Sequence, residues 1–197
     1  MLEEQRTELV GRQSNYISIG ISDGGRNPAG VIPVPWEMTA HAYNMKIPDI
    51  FIAPEDLKDN VLMDKIKSFH VVGCYIFTRI DDYSFIAEFS DMRDVYIIDG
   101  VNVKDLSFLS NLKDWRMLHI EHAHLKDLKP ILQSSLLERL WAGFCLSFAG
   151  CTIDDVSALY EVKQISELIV IGEDDDAERA KWRKVPVHTH RYYTIKR

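Results

Sequence analysis

A chain of 197 residues that is 46% hydrophobic and 27% charged can bury a sizeable core, and this composition argues against a disordered chain. Its net charge of −7, with no Lys/Arg-dense run, argues against a nucleic-acid partner, whose phosphates demand a basic face. No run of about 18 apolar residues is present, so no membrane-spanning helix is expected.

The start, Met1-Leu2-Glu3-Glu4-Gln5-Arg6, is polar and acidic, the wrong pattern for a secretory leader. Cys74, Cys145 and Cys151 are odd in number and lack CxxC spacing, so they read as reduced thiols of a cytoplasmic protein. Residues 1–65 are expected to form an N-terminal cap or flanking region. Tyr16 to Ile21 alternates as a strand does. Ser22 to Pro28 is a turn signal; it is glycine-rich but lacks the Lys-Ser/Thr of a phosphate loop, so no cofactor is expected there or elsewhere. Ile47 to Pro54 reads as extended. Pro54-Glu55-Asp56-Leu57 opens a helix with Leu57, Val61, Leu62 and Ile66 at helical spacing.

Residues 66–171 contain an internal repeat. Asp82-Tyr83-Ser84-Phe85-Ile86, Asp105-Leu106-Ser107-Phe108-Leu109, Asp127-Leu128-Lys129-Pro130-Ile131 and Asp155-Val156-Ser157-Ala158-Leu159 are alike, with offsets of 23, 22 and 28 between their aspartates. Apolar residues precede each Asp at fixed distances: Leu118, Ile120, Ala123 and Leu125; Tyr96, Ile98, Val101 and Val103; Leu146, Phe148, Cys151 and Ile153; more weakly Gly73, Tyr75, Thr78 and Ile80. An incomplete fifth copy runs from Leu159 through Val162, Ile165, Leu168 and Val170. Residues two apart share a face only in a strand. The spacing of three through Leu109, Leu112, Trp115 and Leu118 suits a 3₁₀ return. One such coil cannot bury its own apolar side, but a stack of coils can.

These copies resemble the leucine-rich repeat family in its short 22-residue, internalin-like form, over about half of the chain. The resemblance implies an α/β fold: a solenoid with a parallel β-sheet on its concave face, helical or 3₁₀ returns on the convex side, and a cap at each end. It also implies a scaffold for protein recognition rather than catalysis. The sequence departs from the family at the inward corner Asn, replaced here by Thr78, Val101, Ala123 and Cys151. The extra length between the third and fourth copies is assigned to residues 133–138, as a longer helix on the convex side.

Residues 172–197 read as the C-terminal cap. Gly172 ends the last strand, the acids Glu173 to Asp176 suit the start of a helix from about Asp175, and Val187 to Ile195 form a final strand after Pro186.

Strand residues between the core positions should line the concave face. One lateral row is Cys74, Ile97, His119, Ser147 and Ile169; a second is Ile76, Asp99, Glu121, Ala149 and Ile171; a third is Val72, Val95, Met117, Cys145 and Glu167. An apolar patch of this kind marks an interface. The expected partner-binding residues are Val72, Cys74, Val95, Ile97, Asp99, Met117, His119, Glu121, Ser147 and Ile169, and the expected partner is a protein or peptide. A homodimer through the same face, or cover by the chain's own N-terminal segment, is the alternative.

The enzyme alternative rests on His119-Ile120-Glu121-His122-Ala123-His124, the one constellation with zinc-ligand chemistry. It lacks the helical HExxH spacing, and surface histidines on a strand account for it better. No metal site is assigned on this basis. No GxSxG or Cys/His pattern marks a nucleophile. Trp115, Trp141 and Trp182 read as packing residues.

Overall fold

Strand and return alternate along the chain in the computed structural model, which describes residues 16–20, 50–112, 115–133, 144–172 and 175–194. Strands β1 (Tyr16–Ile19) and β2 (Ile50–Ile52) come first, followed by a 3₁₀ turn at Pro54–Lys58 and helix α1 (Asn60–Lys67). Then β3 (Gly73–Ile76) and β4 (Asp94–Ile97) are separated by a 3₁₀ return at Ser84–Glu88, and Ser107–Leu109 forms the return to β5 (Met117–Glu121). Next come β6 (His124–Asp127), α2 (Lys129–Leu132), β7 (Phe144–Ala149), β8 (Thr152–Asp155), a 3₁₀ return at Ser157–Glu161 and β9 (Ile165–Gly172). Helix α3 (Asp176–Trp182) and β10 (Thr189–Thr194) complete it.

Eight strands make one sheet in the order β10-β9-β7-β5-β4-β3-β1-β2, and all its pairs are parallel. Strands β6 and β8 pair beside it as a short second sheet. Parallel neighbours at β4, β5 and β7 are what the repeat spacing requires. The sheet also extends past the repeats, through β1 and β2 at one end and β10 at the other.

The strands and returns together enclose one core. Ile17, Cys74, Val95, Leu118, Leu146 and Leu168 occupy one lateral row; Ile19, Ile76, Ile97, Ile120 and Phe148 occupy the next. The returns face them with Phe85, Ile86, Phe108, Leu109, Ile131 and Leu159. Burying each such aliphatic side chain stabilises the fold by about 1.5–3 kcal/mol. Trp182 of α3 joins this core, its ring 5.8 Å from Phe148, and Asp175 caps α3 by accepting from Ala177 N–H.

The repeated aspartates start the returns. Asp82, Asp105, Asp127 and Asp155 each accept the backbone N–H two residues on, at 2.8–2.9 Å. The backbone N–H and hydroxyl of Ser84 hold Asp82 below the usual carboxylate range; the hydroxyls and backbone N–H groups of Ser107 and Ser157 do the same for Asp105 and Asp155. A carboxylate with a depressed folded pKa contributes stability that is complete above its unfolded value, about 3.9, and is lost as pH falls through the folded value. Joint replacement Asp82→Asn, Asp105→Asn and Asp155→Asn is therefore expected to lower Tm at neutral pH and flatten its decline between about pH 5 and pH 2. Thermal melts across that range check this; an unchanged acid limb would refute it.

Three sequence expectations need correction. Val101 is not an inward corner residue; it is exposed. On α1, Val61 is 82% exposed, and Met63 joins Ile66 in facing the core instead. Cys74, Val95 and Ile97 were assigned to the concave face but lie wholly inside the core. The cause is corner length. From the second inward strand position to the corner position the chain runs Ile120 to Leu125 and Phe148 to Ile153, but only Ile76 to Ile80 in the first copy and as far as Ile97 to Val103 in the second. Counting back from the Asp therefore misplaces the strand by one residue, and a one-residue slip exchanges its two faces. The expectations for residues 22–28, 134–138 and Trp141 lie outside the described residues.

Candidate functional site

The face opposite the core is built from the alternate strand positions, and an aromatic and polar ladder crosses it. Register places Tyr75, Tyr96, His119, Ser147 and Ile169 side by side on β3, β4, β5, β7 and β9. Tyr75 stacks on Tyr96 with centroids 4.5 Å apart and planes 13° apart; Phe77 stacks on the other side of Tyr75 at 6.1 Å. Tyr96 leans on the His119 ring at 6.1 Å. Such pairs contribute about 0.5–1.5 kcal/mol beyond their buried area. Burial pushes the Tyr75 phenol up to about 12.

The ladder turns polar at its centre. His119 Nδ1 lies 2.9 Å from Ser147 Oγ, and His119 Nε2 lies 2.8 Å from Glu121 Oε1. All three side chains are buried: His119 is 1% exposed, Ser147 2% and Glu121 4%. A hydroxyl, an imidazole and a carboxylate in series is the order of a nucleophile relay. Here the hydroxyl has almost no accessible surface from which to reach a substrate carbonyl, so the arrangement acts as a satisfied buried polar network.

Two apolar clusters flank this relay. Val72, Tyr75, Tyr96 and Met117 form one, with Phe77 and Cys145 packed against it; Ala149, Ile169 and Ile171 form the other. Cys145 Sγ is 3.4 Å from Ser166 Oγ, and burial raises its thiol pKa.

Of the ten residues expected on this face, Val72, Met117, His119, Glu121, Ser147 and Ile169 come together there. Cys74, Val95 and Ile97 do not, for the reason given above. Asp99 sits at the corner after β4, where Arg79 Nη2 donates to its carboxylate at 3.2 Å and Tyr83 Oη to its carbonyl at 3.2 Å. Sequence reasoning missed Tyr75, Tyr96 and Phe77. A signal was available: aligning the copies on their aliphatic pairs, Cys74/Ile76 and Val95/Ile97 with Leu118/Ile120, would have turned both tyrosines outward.

The histidine run disperses once folded. His119 is buried in the ladder, His122, at φ 60°, keeps its Nε2 3.9 Å from Glu121 Oε2 beyond hydrogen-bond reach, and exposed His124 meets Asp154 at 3.3 Å. Among the described residues no group of three or more His, Cys, Asp or Glu side chains could hold a metal ion. The corner Asn of the resembled family has a partial substitute in Cys151, whose Sγ is 3.3 Å from the Ile120 carbonyl. Asn102 bonds the Ile80 carbonyl at 3.1 Å.

No protein-family model and no curated protein matches this chain. Its similar solved structures are leucine-rich repeat proteins of the internalin type. An internalin (inlF) from Listeria monocytogenes is similar over 75% of this chain, at 16% identity and a TM-score of 0.43; the match spans 41% of that longer chain. Internalin C2 (inlC2) of the same organism is similar over 84% of this chain and 88% of its own, at 12% identity and a TM-score of 0.42.

Proposed function

We propose that this protein is a non-catalytic protein- or peptide-binding repeat module, and that the face opposite the core is its binding surface. One observation carries the reading. The side of the sheet opposite the main core is not the polar face of an ordinary solvated sheet: it carries Phe77, Tyr75, Tyr96 and Met117 as one aromatic and thioether cluster, the last three 5% exposed or less, so a protein or peptide would engage it as it opens. Tyrosine and methionine are enriched in interface cores, and stacked rings supply a rigid anchor at low entropic cost. The His119 relay gives the anchor a fixed polar neighbour. Free cysteines at 74, 145 and 151 fit a reducing compartment.

Tyr96→Asp is expected to lower partner capture at least tenfold while leaving a cooperative thermal transition. The measurement is affinity capture from the source cell, with the wild type and an exposed-site control, Val61→Asp, in parallel. Equal capture by wild type and Tyr96→Asp would overturn the reading. Light scattering at several concentrations tests the second-copy alternative.

A further inference from the structure

We infer that the gap between β2 and β3 is a strand-acceptor slot, filled within one chain by β1 and open equally to β1 of a second copy, so that two copies exchange this strand. Elsewhere the main sheet pairs its strands in chain order: β3 with β4, β4 with β5, β5 with β7, β7 with β9 and β9 with β10. The coil from β2 through α1 to β3 departs from that order. Its two strands stand two strand spacings apart, about 9–10 Å, and β1 enters between them from earlier in the chain, parallel to both. Both edges of β1 are paired. Ile17 aligns with Ile50 on one side and Cys74 on the other, and Ile19 with Ile52 and Ile76. At its end Gly20 N–H donates to the Ile52 carbonyl at 3.1 Å, and Phe77 N–H donates to the Ile19 carbonyl at 2.9 Å.

The slot selects its occupant by shape. Ile17 and Ile19 have no solvent exposure, and neither do Ile52, Cys74 and Ile76, which an empty slot would uncover. Gly20 sits at φ 78°, and a Cβ there would lie 2.3 Å from Thr78 Cγ2, so the position after the strand takes only glycine. The fitting ligand is therefore a parallel, extended segment with branched aliphatic residues two apart and glycine directly after the second. Chain connectivity favours exchange. Tyr16 aligns with Gly73, 57 positions along the chain, whereas aligned residues from β3 to β10 lie 21 to 28 positions apart. Closing a longer loop costs more entropy and delays pairing, so the coils close first and β1 enters last. The contacts of β1 named here lie on β2, β3 and the residues just after β3, and the same strand from another chain reproduces each of them.

The test uses the full chain with Ile17→Cys, which sets a thiol beside the native Cys74 on the neighbouring strand, a spacing within the Cα range of a disulfide. The protein is refolded at micromolar and at near-millimolar concentration, oxidised, separated by size and mapped by peptide mass spectrometry. Monomer should carry the 17–74 link within one chain. The concentrated sample should hold at least tenfold more dimer than the dilute one, with the 17–74 link joining two chains. No dimer, or a dimer whose 17–74 links all lie within single chains, overturns the exchange; the second result assigns the association to another surface, such as the aromatic face. The wild-type chain gives an independent measurement. It is refolded with an excess of a labelled peptide of residues 14–21, which should be retained at least tenfold above the same peptide carrying Ile17→Asp and Ile19→Asp. Equal retention of the two peptides overturns the slot. If the Ile17→Cys chain does not fold, peptide retention decides alone.

Discussion

Trp115→Ala is expected to cost about 4 kcal/mol of folding stability, the range for emptying a buried large aromatic site. Trp115 has no solvent exposure, belongs to the single core, and packs on Phe144 with centroids 5.0 Å apart. It thereby ties the return before β5 to the start of β7, across the boundary between two coils. In a stack stabilised by nearest-neighbour contacts, a cavity at such a boundary weakens both coils that share it. For a chain of this size the loss corresponds to a drop in Tm of about 8–16 °C. Trp115→Phe provides the internal control. Trp115 Nε1 is buried with no hydrogen-bond partner among the described residues, so phenylalanine removes an unsatisfied donor while keeping most of the ring contact. Its expected cost is below about 2 kcal/mol. Denaturant unfolding of the three proteins measures this; equal losses for Ala and Phe would show that the indole N–H, and not the ring, matters.

Glu121→Leu should have the second largest effect, about 3 kcal/mol, because it leaves His119 Nε2 buried without its partner. Glu121→Gln retains an acceptor oxygen and should cost no more than about 1 kcal/mol. The decisive comparison is the combined His119→Leu, Glu121→Leu and Ser147→Ala protein. Buried polar networks are expensive when half-broken and often nearly neutral when wholly replaced by apolar groups. The combined variant is thus expected to be more stable than Glu121→Leu alone. Additive losses across the set, read from a double-mutant cycle, would refute the coupling.

How much of this was legible in the sequence follows from what each residue type reports. The third and fourth copies gave their strands correctly, because Leu118/Ile120 and Leu146/Phe148 alternate with polar or small neighbours. The recurrent Asp was readable because its role is local, an acceptor for the N–H two residues on. Face identity in the first two copies was not readable by counting from that Asp, since the corners between differ in length. Both faces there also carry apolar residues: Cys74, Ile76, Val95 and Ile97 on one, Tyr75, Tyr96 and Phe77 on the other. A strand that is apolar on both sides has no period-2 signal to fix its register. The His119–Ser147 contact joins residues 28 apart, and only strand pairing brings them together.

The unequal corners carry one more consequence. Since first, second and third coils already take different numbers of residues to round the bend, single-residue insertions and deletions can accumulate there over evolutionary time without disturbing the lattice of strands. The same change one step earlier, inside β4 or β5, would turn a coil inside out. Within this chain, length already varies at the bends while the strands hold a constant frame. A fixed-period template slides out of phase on such a chain even where the architecture is intact.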